Sequence, residues 1–156
     1  MIKLRIIFTL PTLFLFFLSC GYTPLFSKKE INFNIENIEF LGDKNVKEKI
    51  NQVLSSYKNK SDKVKKISLV IINSKNTTIA SKNSKGEAQT NKISVDVNAK
   101  IILAENNIIE KNFSKSSIYD VIDRKSEQKL IENKLIENLS HEITQQIILE
   151  ILKNTK

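Results

Sequence analysis

From Ile93 to Leu103 the chain alternates. Ile93, Val95, Val97, Ala99, Ile101 and Leu103 share one parity; Ser94, Asp96, Asn98, Lys100 and Ile102 share the other. A period of two sends successive side chains to opposite faces of a β-strand. This stretch therefore needs a sheet with one face in a core and the other mostly wet, the arrangement of antiparallel sheets. Glu105–Asn106–Asn107 follows as a hairpin turn, because Asn tolerates positive φ. A partner strand is expected from Ile108 to Val121, with Phe113, Ser117, Tyr119 and Val121 on one parity. On the upstream side, residues 81–92 hold a turn around Ser84–Gly86.

Before that turn, Ile67, Leu69, Ile71, Val70 and Ile72 make a mostly apolar strand, expected to be central or buried on both faces and able to run on to Ile79. Ile31, Phe33 and Ile35 alternate, then Ile38 and Phe40 alternate on the other parity. This predicts a strand over 31–41 with a bulge near Glu36–Asn37. Gly42–Asp43 ends it, and Asp43 or Asn45 caps the next element. Val46, Ile50, Val53, Leu54 and Tyr57 then fall on one face of a helix from Lys44 to Lys58. Near the C-terminus, Leu135, Leu139, Ile143, Ile147 and Ile151 recur every four residues, widened by Leu130, Ile131, Ile136, Ile148 and Leu152. Asp120 or Asp123 is expected to start this second helix, which runs over 124–153 and measures ~45 Å at 1.5 Å per residue. The stripe is expected to pack on the sheet, with its far end projecting or meeting a partner. The order β-α-β-β-β-α predicts an α+β two-layer sandwich, a four-stranded sheet carrying two helices, as one domain over 31–156.

The N-terminus speaks to compartment. Lys3 and Arg5 precede 13 uncharged, mostly apolar residues, Ile6 to Leu18. A bilayer-spanning helix needs ~20 apolar residues, so the run is too short to cross. A positive start, a short apolar core and a small residue at its end read as an export signal over residues 1–19. The single cysteine of the chain, Cys20, stands directly after it. Phe17-Leu18-Ser19-Cys20 resembles a bacterial lipobox, retaining the small residue before the cysteine. Cys20 is thereby expected to be acylated and to become the mature N-terminus, the alternative being a cleaved secretory signal with an incidental cysteine. Gly21, rather than Asp, follows it, which points to the outer membrane. Residues 20–30 form a lipidated tether; its ten residues past Cys20 reach at most ~35 Å. Tyr22, Leu25 and Phe26 of the tether can dock on a partner or on the domain itself, the domain being the commoner outcome.

Composition weakens enzyme readings. One His and one Cys leave no cluster for a zinc site or a Cys–His dyad. Three Gly supply no phosphate-cradling loop, and neither G-x-G-x-x-G nor G-x-x-x-x-G-K-[ST] occurs. His141, beside Glu142 with Glu137, Asn138 and Gln145 on the same polar side, reads as a solvated surface histidine. No catalytic residue, metal or cofactor is expected.

The net charge is +8, or +6 without Lys3 and Arg5. With 23 Lys, 24 Ile and 17 Asn against two Arg, part of this excess is what an AT-rich genome imposes. Lys58, Lys60, Lys63, Lys65 and Lys66 fall in one loop, and Lys82, Lys85 and Lys92 surround the Gly86 turn. Both groups read as solvated surface or as contacts for anionic headgroups. Nucleic acid is a poor fit: the chain is exported, lacks an aromatic-and-basic stacking face, and has only Arg124 for bidentate phosphate contacts.

Cys20-Gly21-Tyr22-Thr23-Pro24-Leu25-Phe26 resembles the opening of the mature chain in the family of the LPS-assembly lipoprotein LptE, in its alphaproteobacterial form. The turn and alternating strand over Gly86–Leu103, and Tyr119 followed by a long amphipathic helix, are similar to that family as well. The resemblance implies a partner, the large outer-membrane β-barrel LptD, whose lumen the lipoprotein occupies as a plug. It also implies help in assembling that barrel, attachment to the periplasmic side of the outer membrane, and delivery of lipopolysaccharide to the outer leaflet. Where relatives tend to carry Arg after the turn, this chain has Gln89-Thr90-Asn91-Lys92. Lys82, Lys85 and Lys92 are then the candidate lipopolysaccharide contacts, with Lys92 as the substitute for Arg. Two rivals are a pilotin-like lipoprotein of another envelope machine and a carrier of a hydrophobic ligand, the latter marked by a large apolar cavity between sheet and helices.

Overall fold

The computed structural model describes residues 33–58, 64–104 and 107–155. Cys20, the tether, and the lysines at 60 and 63 lie outside the described residues. The elements are β1 (Phe33–Gly42), α1 (Lys44–Leu54) with a 3₁₀ turn at Ser55–Tyr57, β2 (Lys65–Lys82), β3 (Ala88–Ala104), β4 (Asn107–Asp120) and α2 (Lys125–Thr155). The expected α+β order β-α-β-β-β-α is the observed one. The sheet order is β1-β2-β3-β4. β1 runs parallel to β2, with α1 as the crossover, and the other two pairs are antiparallel.

The alternating strand is the middle of the construction. Ile93, Val95, Val97, Ala99 and Ile101 are all buried, and their cross-strand partners continue the same face. Leu69 pairs with Ile101 and Ile71 with Ala99, while Val97 pairs with Phe113 on β4. Burying a Val, Leu or Ile side chain stabilises by about 1.5–3 kcal/mol, so this face supplies the main driving force. β1 reverses parity through a register shift between Ile35 and Asn37, which lets Phe33 and Ile35 stay buried while Ile38 and Phe40 still point inward. Phe33 also stacks on Tyr57 at 5.5 Å, closing the 3₁₀ turn onto the start of β1.

β2 is an inner strand, but it is not buried on both faces. Ile67, Leu69 and Ile71 are buried, whereas Ile72 is 49 % exposed. Both helices lie on one side of the sheet, so among the described residues nothing covers the opposite face. β2 is also longer than its apolar part. The last β1 pair is Gly42 with Asn73, and β2 continues to Lys82 against β3 alone. The polar stretch Ser74–Lys82 is strand because ladder hydrogen bonds to β3 hold it, and it is exposed, with no described residue covering it. The turn itself is confined to residues 83–87.

Asp43 caps α1: its Oδ1 accepts from the Val46 backbone N–H at 3.0 Å. Asn45 does not cap; its side-chain amide donates to Asn133 of α2 at 3.0 Å. Val46, Ile50 and Leu54 are the buried stripe of α1. Asp120 belongs to β4 rather than to the start of α2, which begins at Lys125. The buried face of α2 runs from Ile136 through Leu139, Ile143, Ile147 and Ile151 to Thr155. Leu130 and Ile131 are not part of it, being 70 % and 38 % exposed. The uncovered end of α2 is therefore its N-terminal one. The C-terminal end is tied down, with Lys65 Nζ donating to the Thr155 carbonyl at 2.7 Å.

Candidate functional site

The three candidate lysines lie on the long β2–β3 hairpin. Asn83 organises its tip: its Oδ1 accepts from the N–H groups of Lys85 and Glu87, both at 3.0 Å, and its amide donates to the Glu87 carboxylate at 2.8 Å. Gly86 takes φ 82°, a value that a residue with a Cβ rarely adopts. The turn presents Lys82 and Lys85 to solvent at the end of the hairpin. Lys92 is not with them. It pairs with Thr78, four steps along β3 from Ala88, the partner of Lys82. At about 3.4 Å per residue that separates it from the hairpin end by ~14 Å. It projects from the uncovered face, between Thr78 and Ile118. None of the three lysines forms an ion pair among the described residues, and all are exposed.

The uncovered sheet face is a feature that the alternation foreshadowed only for β3. Its side chains are largely uncharged hydrogen-bonding groups: Ser74, Asn76 and Thr78 on β2, Ser94 and Asn98 on β3, Asn112, Ser114 and Ser116 on β4. Some of them bond across strands, to one another or to the carboxylates of Asp96 and Glu110. Ser114 donates to Asp96 at 2.6 Å, and Asn98 donates to Glu110 at 2.9 Å and to Asn112 at 2.8 Å. Leu41, Ile72, Ile108 and Ile118 are large exposed apolar residues on the same face. A shallow depression runs across it from Ser74 to Ser114.

Where the sheet meets α2, Tyr119 is buried, and its hydroxyl donates to Glu132 at 2.6 Å. Burial, first, and the bond to Glu132, second, raise the phenol above its ordinary pKa. His141 is exposed and its Nε2 lies 2.9 Å from the Gln145 amide. Glu142 and Glu137 are engaged elsewhere, with Lys115 at 3.2 Å and Lys49 at 3.0 Å. Among the described residues, no three His, Cys, Asp or Glu side chains gather as a metal-binding group. No helix among them is long and apolar enough to cross a membrane. A second, wider groove lies at the opposite end of the sheet from the hairpin tip, lined by Lys65, Lys66, Ile102, Leu103 and Asn154. The first depression lies on the uncovered sheet face, and the second lies where β2 and β3 meet the C-terminal end of α2.

No protein-family model matches the sequence, and no curated protein is similar to it. Solved structures are similar in fold. The crystal structure of the rare lipoprotein B from Shewanella oneidensis superposes with a TM-score of 0.56 at 12 % identity, covering 77 % of this chain and 99 % of that one. The solution structure of an uncharacterized lipoprotein B from Nitrosomonas europaea gives 0.52 at 13 % identity, covering 80 % of this chain and 90 % of that one. At such identities the likeness is one of architecture: the sheet and its two helices are shared.

Proposed function

We propose that this protein is an outer-membrane lipoprotein, acylated on Cys20, whose domain plugs the β-barrel LptD, assists its assembly, and takes part in moving lipopolysaccharide to the outer leaflet. The observation that carries the reading is a coincidence of two independent features. The domain has the architecture of two proteins described as lipoproteins, over nine-tenths or more of their length. The lone cysteine of the chain stands at the end of an export signal. The role is binding and assembly rather than catalysis, and the anchored side is the periplasmic one.

The shape supports the plug. β2 takes 17 steps from Lys65 to Lys82, or ~56 Å at about 3.3 Å per step. A bilayer with its headgroups is ~40–45 Å thick. Aligned with a barrel axis, the domain reaches from one leaflet to the other. With the Phe33 end at the anchored leaflet, Lys82 and Lys85 arrive at the level of the outer-leaflet phosphates. Barrel lumens are polar, and the uncovered Ser/Thr/Asn face suits such a wall. Purification of the acylated protein from detergent-solubilised outer membrane tests the reading. It is expected to bring down one large β-barrel. Recovery of the protein with a small apolar ligand and no barrel replaces this reading by that of a ligand carrier.

A further inference from the structure

We propose that the end of the domain where β1 begins is a docking surface for an anionic phospholipid bilayer, with Lys58, Lys66 and Lys153 as its contacting cations. Three elements converge there. Lys66 pairs with Asn34, one residue into β1, and Lys58 bridges to Ile35. Lys65, paired with Phe33, holds the Thr155 carbonyl at 2.7 Å, which draws the last turn of α2 and with it Lys153 to the same end. That bond also occupies a carbonyl at the negative end of the helix, which would otherwise repel anions. Among the described residues, the acids beside these cations are Glu36, ion-paired with Lys66 at 3.5 Å, and Glu150, which accepts from the Asn154 amide at 3.2 Å. Lys58 and Lys153 have no ion-pair partner among the described residues. The groove floored by Ile102 and Leu103 opens between Lys66 and Asn154, adding apolar surface to the charge.

Lysine suits this task. Its ammonium is a compact point charge on a flexible stem, fit for a diffuse layer of headgroups rather than a fixed bidentate partner. Each lysine held at an anionic bilayer surface strengthens binding about fivefold. Cys20 lies 13 residues before Phe33, so an acyl anchor can be at most ~47 Å from this end. The inference rests on the anchored reading only for which membrane this surface meets.

The test uses the mature chain from residue 20 carrying Cys20→Ala, so that neither acyl chains nor a barrel contribute. It is expected to sediment with phosphatidylglycerol vesicles at about 50 mM salt, not with phosphatidylcholine vesicles, and to be released at about 500 mM. Lys58→Ser with Lys153→Ser should weaken binding about 25-fold, and Lys125→Ser with Lys129→Ser at the far end of α2 should leave it unchanged. Should the first pair unfold the domain by circular dichroism, Lys66→Ser alone should weaken binding about fivefold. Absence of binding to phosphatidylglycerol, equal binding by the Lys58/Lys153 variant, or loss only in the Lys125/Lys129 variant overturns the proposal. Failure to recover a barrel in the purification leaves this result standing, so the two readings fail separately.

Discussion

A Cβ placed on Gly42 would lie 1.8 Å from the backbone carbonyl oxygen of Asn73. Gly42 has φ 116°, so it is both sterically and conformationally confined to glycine. Around this contact the Asn73 amide donates to the Leu41 carbonyl at 3.1 Å, and the Asp43 N–H donates to the Asn73 carbonyl at 3.4 Å. These bonds end β1 against β2 and turn the chain into α1. Past this point β2 has a partner on one side only, while β3 keeps β4 on its other side as far as Thr90.

Gly42→Ala should therefore destabilise the domain by about 3 kcal/mol or more, combining backbone strain with a displaced strand end. Urea unfolding followed by circular dichroism measures it. A loss below about 1 kcal/mol contradicts the close approach described for Gly42 and Asn73.

Asp43 gives a pH signature. Its carboxylate accepts from the Val46 N–H and sits 3.5 Å from Lys75, and these partners, the backbone bond first, hold its pKa below the usual value despite opposing desolvation. A depressed folded pKa means stability present above the unfolded value near 3.8 and lost as pH falls through the folded one. Asp43→Ala is expected to cost about 1 kcal/mol at pH 7. The gap between parent and variant should narrow below about pH 4. Urea midpoints of both proteins across this range check the trend; a gap that widens on acidification contradicts it.

Tyr119 works in the opposite sense. Its raised pKa means that the bond to Glu132 contributes fully below pH 10 and is lost as pH rises through the folded value. Tyr119→Phe should cost about 1–2 kcal/mol near neutral pH, moderated because Gln128 also donates to Glu132 at 3.3 Å. In an alkaline absorbance titration the variant should lack one late-ionising phenol. Loss of an early-ionising phenol instead means that Tyr119 is not the buried donor described.

Much of this architecture was legible in the sequence, because period-two and period-four patterns report burial directly. The β3 alternation and the Glu36–Asn37 irregularity are cases where each inward residue has an apolar identity. The failures share one cause. Ser74–Lys82 is strand without an apolar face, since backbone pairing holds it, and such pairing leaves little mark on side-chain type. Leu130 and Ile131 match the helical stripe but lie beyond the cover of the sheet, so periodicity overstated burial there. At the candidate site, the turn placed around Ser84–Gly86 located the hairpin tip, while the bonds of Asn83 that organise it emerged only from the structure. The separation of Lys92 from Lys82 and Lys85 depended on the β2–β3 register, which no local pattern encodes.

The burial contrast along α2 is itself testable. Ile143 is fully buried, and Ile143→Ala should cost about 2–5 kcal/mol. Leu130→Ala, at an exposed position, should stay within about 0.5 kcal/mol. Thermal or urea unfolding of the two variants side by side decides whether the stripe ends where the structure ends it.

The plug reading is tested most directly by photo-crosslinking in growing cells. Ser84 lies at the hairpin tip and Ser116 on the uncovered sheet face of β4, so the two sample different sides of the domain. A photoreactive residue at either position is expected to trap the same large β-barrel protein, because enclosure brings a wall to both. Capture of a barrel from one position alone describes a peripheral adaptor, and capture of none from either contradicts the account.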